Sequence, residues 1–393
     1  MTRRRLLAAA LVAPLLLLIV LTFLVPLGTT LYRAIGDTEV SSSLPKTAAL
    51  LDEWDGEGMP PEAVYETIVT ELREARQNQT IGPVLRRLNF ETTGLRSTVL
   101  RATRIEEPVS GSYLDALREK DERWGEEDFW RLMKRATGPF TPLYFLRSLD
   151  LRTASDGSIA QVEPGDRVFI PLFVRTFWIS IVVTLLCAAI AYPVAYTLTI
   201  LPQGLANLGL TLILVPFWTS ILVRTTAWFI ILQREGPINA LFLALGLVDQ
   251  PLTMIFTRFA VYIAMVHVLL PFAILPLYSV MKGIKPDYLR AAASLGAPGW
   301  KRFLRVYLPL TMPGVAAGSV IVFMLSVGFY ITPALVGGAD DQMVSYFIAF
   351  FTNNSVNWGM AAALACLLMA MTGLMVIAAR AFVPGFKAVG GKA

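Results

Sequence analysis

The sequence predicts an all-α integral membrane protein of six transmembrane helices, with a large, mainly helical extracytoplasmic insertion after the first. Three observations carry this. The 393 residues are 55% hydrophobic and only 16% charged, with a mean hydropathy of +0.58, a balance foreign to soluble domains. Six apolar runs are each long enough to cross a hydrocarbon core about 30 Å thick. The ionisable residues are also segregated. The segment from Arg33 to Arg167 holds 24 acids against 18 lysines and arginines, net −6, so a chain of net +5 carries +11 elsewhere.

Arg3, Arg4 and Arg5 precede an apolar run from Leu6 to about Leu31. The run is too long for a signal-peptide core and closes on no small-x-small site, which predicts an uncleaved first span with a cytoplasmic N-terminus, residues 1–32. Residues 33–167 form the insertion. At ~135 residues it far exceeds an ordinary connection and is large enough for a small domain. Val64, Ile68 and Leu72 fall on one helical stripe, and Phe129, Leu132 and Met133 on another. Asp156-Gly157 and Pro164-Gly165-Asp166 mark turns near its end. It contains no cysteine, so disulfides cannot hold it. Two readings stay open: a solvated structural insertion, or a surface that meets a binding protein or gathers cations near an entrance.

Residues 168–393 predict five further spans: Val168 to Ile200, Leu208 to Leu232, Leu252 to Val280, Val306 to Val336, and about Trp358 to Val383. With six crossings, Lys282, Lys285, Arg290, Lys301, Arg302 and Arg305 fall in one cytoplasmic loop, 281–305, and Arg380, Lys387 and Lys392 in a cytoplasmic tail. Glu235, Asp249, Asp340 and Asp341 fall outside, and the clustering of lysine and arginine in the cytoplasmic loop and tail obeys the positive-inside rule. Pro193, Pro216, Pro271, Pro276, Pro313 and Pro333 punctuate the spans. Such a cluster predicts broken helices around a pathway, although each proline alone reads equally as a packing kink.

The loop 281–305 is polar and basic yet tied to the membrane at both ends, a geometry suited to docking. Asp287 to Leu295 reads as a short helix, favoured at its start by Asp287 and by Ala291, Ala292 and Ala293, and ended by Gly296 in a left-handed turn. Alanines leave a low-relief face that fits a partner's groove.

Arg290-Ala291-Ala292, then Gly296, then Val306-Tyr307-Leu308-Pro309 resembles the E-A-A-x-x-x-G…I-x-L-P loop of permease subunits of bacterial ABC importers. The resemblance implies a type I importer permease core, in which this loop is the coupling helix docking on a cytoplasmic ATPase. The family's Glu is Arg290 here, and Asp287, one turn earlier on the same face, is positioned to take its role. Pro216-Phe-Trp-Thr-Ser220, Leu222-Val-Arg-Thr225 with Ala227-Trp228, Gly236-Pro-Ile-Asn239, Leu269-Leu-Pro-Phe272 and Tyr330 to Gly338 are similar to spermidine/putrescine permeases. Related permeases for iron, thiamine, phosphonates or opines share parts of them. The resemblance implies two ATPase subunits that bind ATP and Mg, a second homologous permease, a periplasmic solute-binding protein, and the bacterial inner membrane as location. It does not cover residues 33–167.

A polyamine pathway needs aromatic faces and acids. Trp218, Trp228 and Tyr330 are candidates for the faces; Glu235, Asp340 and Asp341 lie at predicted outer ends. Each also reads blandly, as an interfacial aromatic or a solvated loop acid. Arg224 has the wrong sign for a polycation and reads as a structural or gating group paired with an acid such as Glu235. His267 reads as a satisfied core histidine ahead of a proton relay. No G-x-x-x-x-G-K-[ST] phosphate loop occurs, Cys187 and Cys366 lie in apolar runs, and one histidine offers no metal cluster, so the chain reads as a transport subunit with no catalytic residue, bound cofactor or nucleic-acid partner. A secondary transporter is the rival reading, but it wants a carboxylate in mid-span, and the sequence places none there.

Overall fold

The computed structural model describes residues 3–106, 112–154 and 157–382; Asp156, Val383, Lys387 and Lys392 lie outside them. The described chain is helical apart from one small hairpin. It begins with a first span, α1 (Leu11–Ile35), and continues into the insertion through α2 (Pro45–Glu53), α3 (Glu62–Gln77), α4 (Gly82–Glu91), α5 (Leu95–Ala102), α6 (Tyr113–Lys120), α7 (Glu127–Thr137) and α8 (Leu143–Ser148). β1 (Leu151–Thr153) and β2 (Ile159–Gln161) pair antiparallel. Beyond them lie α9 (Phe169–Ile200), α10 (Gln203–Leu214), α11 (Ile221–Ile231), α12 (Pro237–Ala244), α13 (Arg258–Lys282), α14 (Asp287–Ser294), α15 (Gly299–Val327), α16 (Ile331–Val336), α17 (Val344–Asn353) and α18 (Trp358–Phe382). Two compact units emerge: the chain up to Ile170 with Phe350–Cys366, and Pro171–Ala349 with the chain from Leu367 on.

The insertion has its own apolar core. The expected stripes of α3 and α7 are buried in it, and Phe129 meets Trp124 and Trp130 edge to face while the two indoles tilt against each other, with ring centroids 4.7–5.6 Å apart. Polar groups inside it are paired. Buried Glu71 accepts from the backbone N–H groups of Lys46 (2.8 Å) and Thr47 (2.9 Å), closing the open start of α2. Buried Arg87 pairs with Asp37 and, at 2.7 Å, with Glu91. Burial alone would lower the Arg87 pKa; the two carboxylates outweigh it and raise the value, so the cation stays charged in the core.

Within the same unit the insertion is seated on the ends of three spans. The Arg33 guanidinium, at the end of α1, lies 5.1 Å from the ring centroid of Trp358, which opens α18. The Tyr144 ring packs on Gly359 so closely that a Cβ there has no room. Ser148 Oγ reaches Met360 Sδ at 3.8 Å, and Phe90 meets Phe351 edge-on at 6.3 Å. Buried Asp150 accepts from the N–H groups of Val168 and Phe169 (both 3.0 Å) and Ile170 (2.6 Å), capping α9. The end of α1, the start of α9 and the start of α18 therefore share one side of the membrane.

That constraint decides the number of crossings. Five helices are long and apolar enough to span; α10 and α11, bent by 96° at Thr219-Ser220, make a sixth only if together they cross once. If they re-entered, α13 and α15 would deliver α18 to the wrong side, so the bent pair crosses and the spans are six. The sequence reading of a straight span from Leu208 to Leu232 is thereby corrected: Ser220 Oγ accepts from Leu222 N–H (3.3 Å) and starts a new helix. The fourth span begins at Arg258, six residues later than expected. The fifth runs from Gly299 to Val327, and the remainder of the expected run turns off at Gly328 into the separate α16. Pro193, Pro271, Pro276 and Pro313 all sit inside continuous helices, so of the six prolines only Pro216 adjoins a break within a span.

In the second unit α13 packs on α15 at close range. A Cβ on Gly318 would stand 2.9 Å from the Ala273 carbonyl oxygen, and one on Gly314 3.1 Å from Leu277 Cα. Glycines four apart thus form a flat seam that lets two backbones touch. α16 is held on α11 by buried Thr225 and Thr332, their hydroxyls 3.1 Å apart, and Val336 O accepts from Phe256 N–H at 2.9 Å.

Candidate functional site

α14 lies across the turn between α13 and α15. It ends in a Schellman arrangement: Gly296 N–H donates to Ala293 O (2.9 Å), Ala297 N–H donates to Ala292 O (3.1 Å), and Gly296 takes φ +80°. Ala292 and Ala297, joined by that backbone bond, are both half-buried. Ala291, Ala293 and Gly296 are exposed, and beside them Leu295 is 88% and Trp300 64% exposed. Apolar side chains are thus offered to the surroundings beside a low-relief alanine face. Asp287 and Arg290 do share a face, and they pair with each other, Nη1 to Oδ1 at 3.6 Å, both largely in water.

The loop is fixed to the bundle beneath. Ile284, Leu289 and Phe303 pack on the core of the second unit. After its first turn α15 widens over Phe303–Tyr307, where Leu308 N–H reaches back to Phe303 O. Pro309 lies one residue on and has no N–H to give, so a widened turn suits the chain just ahead of it. Buried Tyr307 meets Tyr196 edge-on at 5.5 Å, Phe303 meets Tyr192 at 6.1 Å, and the Tyr192 hydroxyl lies 3.1 Å from Thr311 Oγ1. Leu308 and Pro309 thus stand where the loop passes into the long continuous part of α15.

The other singled-out residues fall into separate places. Trp218 stands at the bend between α10 and α11, 89% exposed, and Tyr330 is exposed at the turn into α16. Trp228 and His267 meet: the indole N–H donates to His267 Nδ1 at 3.1 Å, which makes the ring a neutral acceptor with its proton on Nε2. Arg224, one turn from Trp228, forms no ion pair among the described residues; the expected partner Glu235 is exposed and apart from it. Asp341 is buried and bonded to Arg258 (2.8 Å) and to Gly338 N–H (3.3 Å), while the Asp340 carbonyl accepts from Arg175 (2.6 Å). The Asp341 carboxylate and the Asp340 backbone carbonyl thus hold the turn that follows α16.

The family described as "Binding-protein-dependent transport system inner membrane component" matches residues 168–388. The chain belongs to this family of ABC importer permeases. Over 212 residues it is 35% identical to the spermidine/putrescine transport system permease protein PotB of Salmonella typhimurium strain LT2, covering 54% of this chain and 74% of that one. PotB of Escherichia coli K12 matches equally, with 77% of it covered, and PotB of Haemophilus influenzae is 34% identical over 219 residues, 55% of this chain and 77% of that one. A chain of the crystal structure of a bacterial alginate ABC transporter in complex with an alginate pentasaccharide-bound periplasmic protein is similar at 18% identity and TM-score 0.48, over 55% of this chain and 78% of that one. The permease is a multi-pass transport subunit of the inner membrane, and its insertion precedes the family region. Sequence reasoning missed the Gly314/Gly318 seam of the permease, although G-x-x-x-G in an apolar run signals it. It also missed the Trp228–His267 bond, whose partners lie 39 residues apart.

Proposed function

We propose that the protein is the transmembrane subunit of an ATP-driven importer that carries a polyamine, spermidine or putrescine, inward across the cytoplasmic membrane. The supporting observation is the kinship to three polyamine permeases over 212 to 219 residues, joined to a loop shaped for docking. Two ATPase subunits holding ATP and Mg engage α14, one coupling loop per permease, and a second homologous permease completes the pathway. Closure of the ATPases moves Asp287, Arg290, Ala291, Ala292 and Gly296 as a body, and Leu308 and Pro309 pass that motion to α15. A periplasmic solute-binding protein delivers the polyamine on the side that carries the insertion, and both chain termini are cytoplasmic. Among the pathway candidates Trp218, Trp228 and Tyr330 serve as cation-facing aromatic surfaces. Glu235 is the exposed acid at the outer end of α11, and Arg224 stands as a positive gate. The test is uptake of labelled spermidine by proteoliposomes holding the complex. Accumulation that depends on ATP and is competed by putrescine, but not by thiamine, a phosphonate or ferric ion, is expected; competition by one of those in place of putrescine assigns another solute.

A further inference from the structure

Arg224 carries a charge that no described neighbour answers. It stands in α11, four residues past Ser220 at the bend, half-buried, with its Nε shielded and without a hydrogen-bond partner. Its guanidinium forms no ion pair with a described residue. Arg175 and Arg302 of the same unit also bury an unpartnered Nε, but Arg175 donates to the Asp340 carbonyl at 2.6 Å and Arg302 lies in the polar loop 281–305. Arg224 lies deeper. One turn on, Trp228 is bonded to His267, nine residues beyond Arg258 in α13 and so roughly 13 Å along that helix, inside a hydrocarbon core about 30 Å thick.

The spans of this chain hold no anion for it. None of α1, α9, α10, α11, α13, α15 and α18 contains an aspartate or glutamate. Of the five acids in the second unit, Asp341 is taken by Arg258 and Asp287 pairs with Arg290, while Glu235, Asp249 and Asp340 are exposed outside the spans. His267 accepts the Trp228 N–H as a neutral ring and brings no negative charge. The flank of α11 is apolar: Leu222, Val223 and Ile230 are 53–62% exposed, whereas Thr225 is bonded to Thr332 and Trp228 to His267. The helix is thus seated on its own chain along one side and bare along the other. A cation beside a bare apolar face within the membrane is costly unless an opposite charge meets it.

We infer that Arg224 pairs with a carboxylate carried on an intramembrane helix of the second permease. The inference deepens the gate assigned to Arg224 above and rests on the presence of that subunit. Charge complementarity selects the partner. The surface around Arg224 fits an apolar helix with one acid, whereas a lipid phosphate stays at the headgroups and a polyamine brings the same sign of charge. The pair falls just past the bend, so it ties α11, and through Thr225 and Thr332 the short α16, to the other half of the pathway.

The test purifies the complete complex through a tag on this chain and measures the second permease that comes with it. Arg224→Glu is expected to lower that yield about tenfold, and Arg224→Lys to keep it within about twofold of wild type. Each aspartate and glutamate in the spans of the second permease is then changed to lysine beside Arg224→Glu; one such swap is expected to restore the yield and ATP-driven uptake. Where Arg224→Glu does not accumulate, Arg224→Gln replaces it, and combined with the amide of the partnering acid it is expected to lose no more than either change alone. Wild-type yield and uptake in Arg224→Glu, or the absence of any restoring swap, overturns the pair. So does an equal loss in wild type purified without anionic lipid, which assigns the cation to a lipid phosphate. A wild-type chain that brings no second permease overturns the assembly reading and the pair with it, whereas failed swaps beside an intact wild-type complex overturn the pair alone.

Discussion

At Gly296 the chain leaves α14 with φ +80°, and no atom lies within 4 Å of where a Cβ would stand. A substitution there meets no clash, so any effect comes from the backbone alone, about 1–2 kcal/mol against the left-handed conformation. Gly296→Val should uncouple transport from ATP hydrolysis while the protein remains in the membrane, and Gly296→Asn should be nearly neutral. Parallel uptake and hydrolysis assays check this; full coupling in the valine variant would remove the lever role. A second residue-scale question is the Asp287–Arg290 pair. If Asp287 carries the partner contact, Asp287→Ala should weaken ATPase pull-down and Arg290→Glu be tolerated. If Arg290 carries it, Arg290→Glu sets like charges together and abolishes the pull-down. The sequence shows these positions because three-residue spacing puts them on one face. It does not show that the two side chains occupy each other, nor that Asp341 is spent on Arg258, 83 residues away.

Spans were legible where hydropathy alone defines them, as in α9 and α18. The bend in the third was hidden because both of its halves are equally apolar and the break is a matter of caps and one extended residue. Prolines misled as well: four of them lie inside continuous helices and do not break them. The α13–α15 seam supports a prediction at this scale. Gly318→Leu must push the Ala273 backbone away, an overpacking cost of about 1–3 kcal/mol, and should lower the melting temperature of the purified protein, whereas Gly373→Leu, with open space around it, should not. In the insertion, Asp121 is half of another such test. Desolvation raises its pKa, but hydrogen bonds from Thr98, Arg123 and Arg101 outweigh this and hold it below 3.8. Because the folded value is the lower one, this carboxylate stabilises the fold above pH 3.8, and the contribution is lost as the pH falls through the folded value. Hydrogen exchange over residues 98–123 should quicken across that acid range in the wild type, and Asp121→Asn should exchange fast throughout.

For the whole molecule, the insertion was legible as a helical domain but not as one locked to three spans, because Tyr144 on Gly359 and Asp150 on α9 join residues that no local pattern relates. That locking is what turns six crossings from a count of apolar runs into a requirement, and it fixes relations among distant sites. Glu119 in the insertion and Asn354 before α18 must lie on one side of the membrane, and Ser294 at the end of α14 on the other; all three are exposed. The natural thiols Cys187 and Cys366 are buried, so background labelling is low. In spheroplasts an impermeant maleimide should label Glu119→Cys and Asn354→Cys at once, and Ser294→Cys only after lysis. Labelling of Glu119→Cys and Asn354→Cys from opposite sides would mean that the bent pair α10–α11 re-enters without crossing. Labelling of all three in reverse would keep the six spans and invert the molecule, which would carry α14 away from the ATPases and end its assignment as the coupling element.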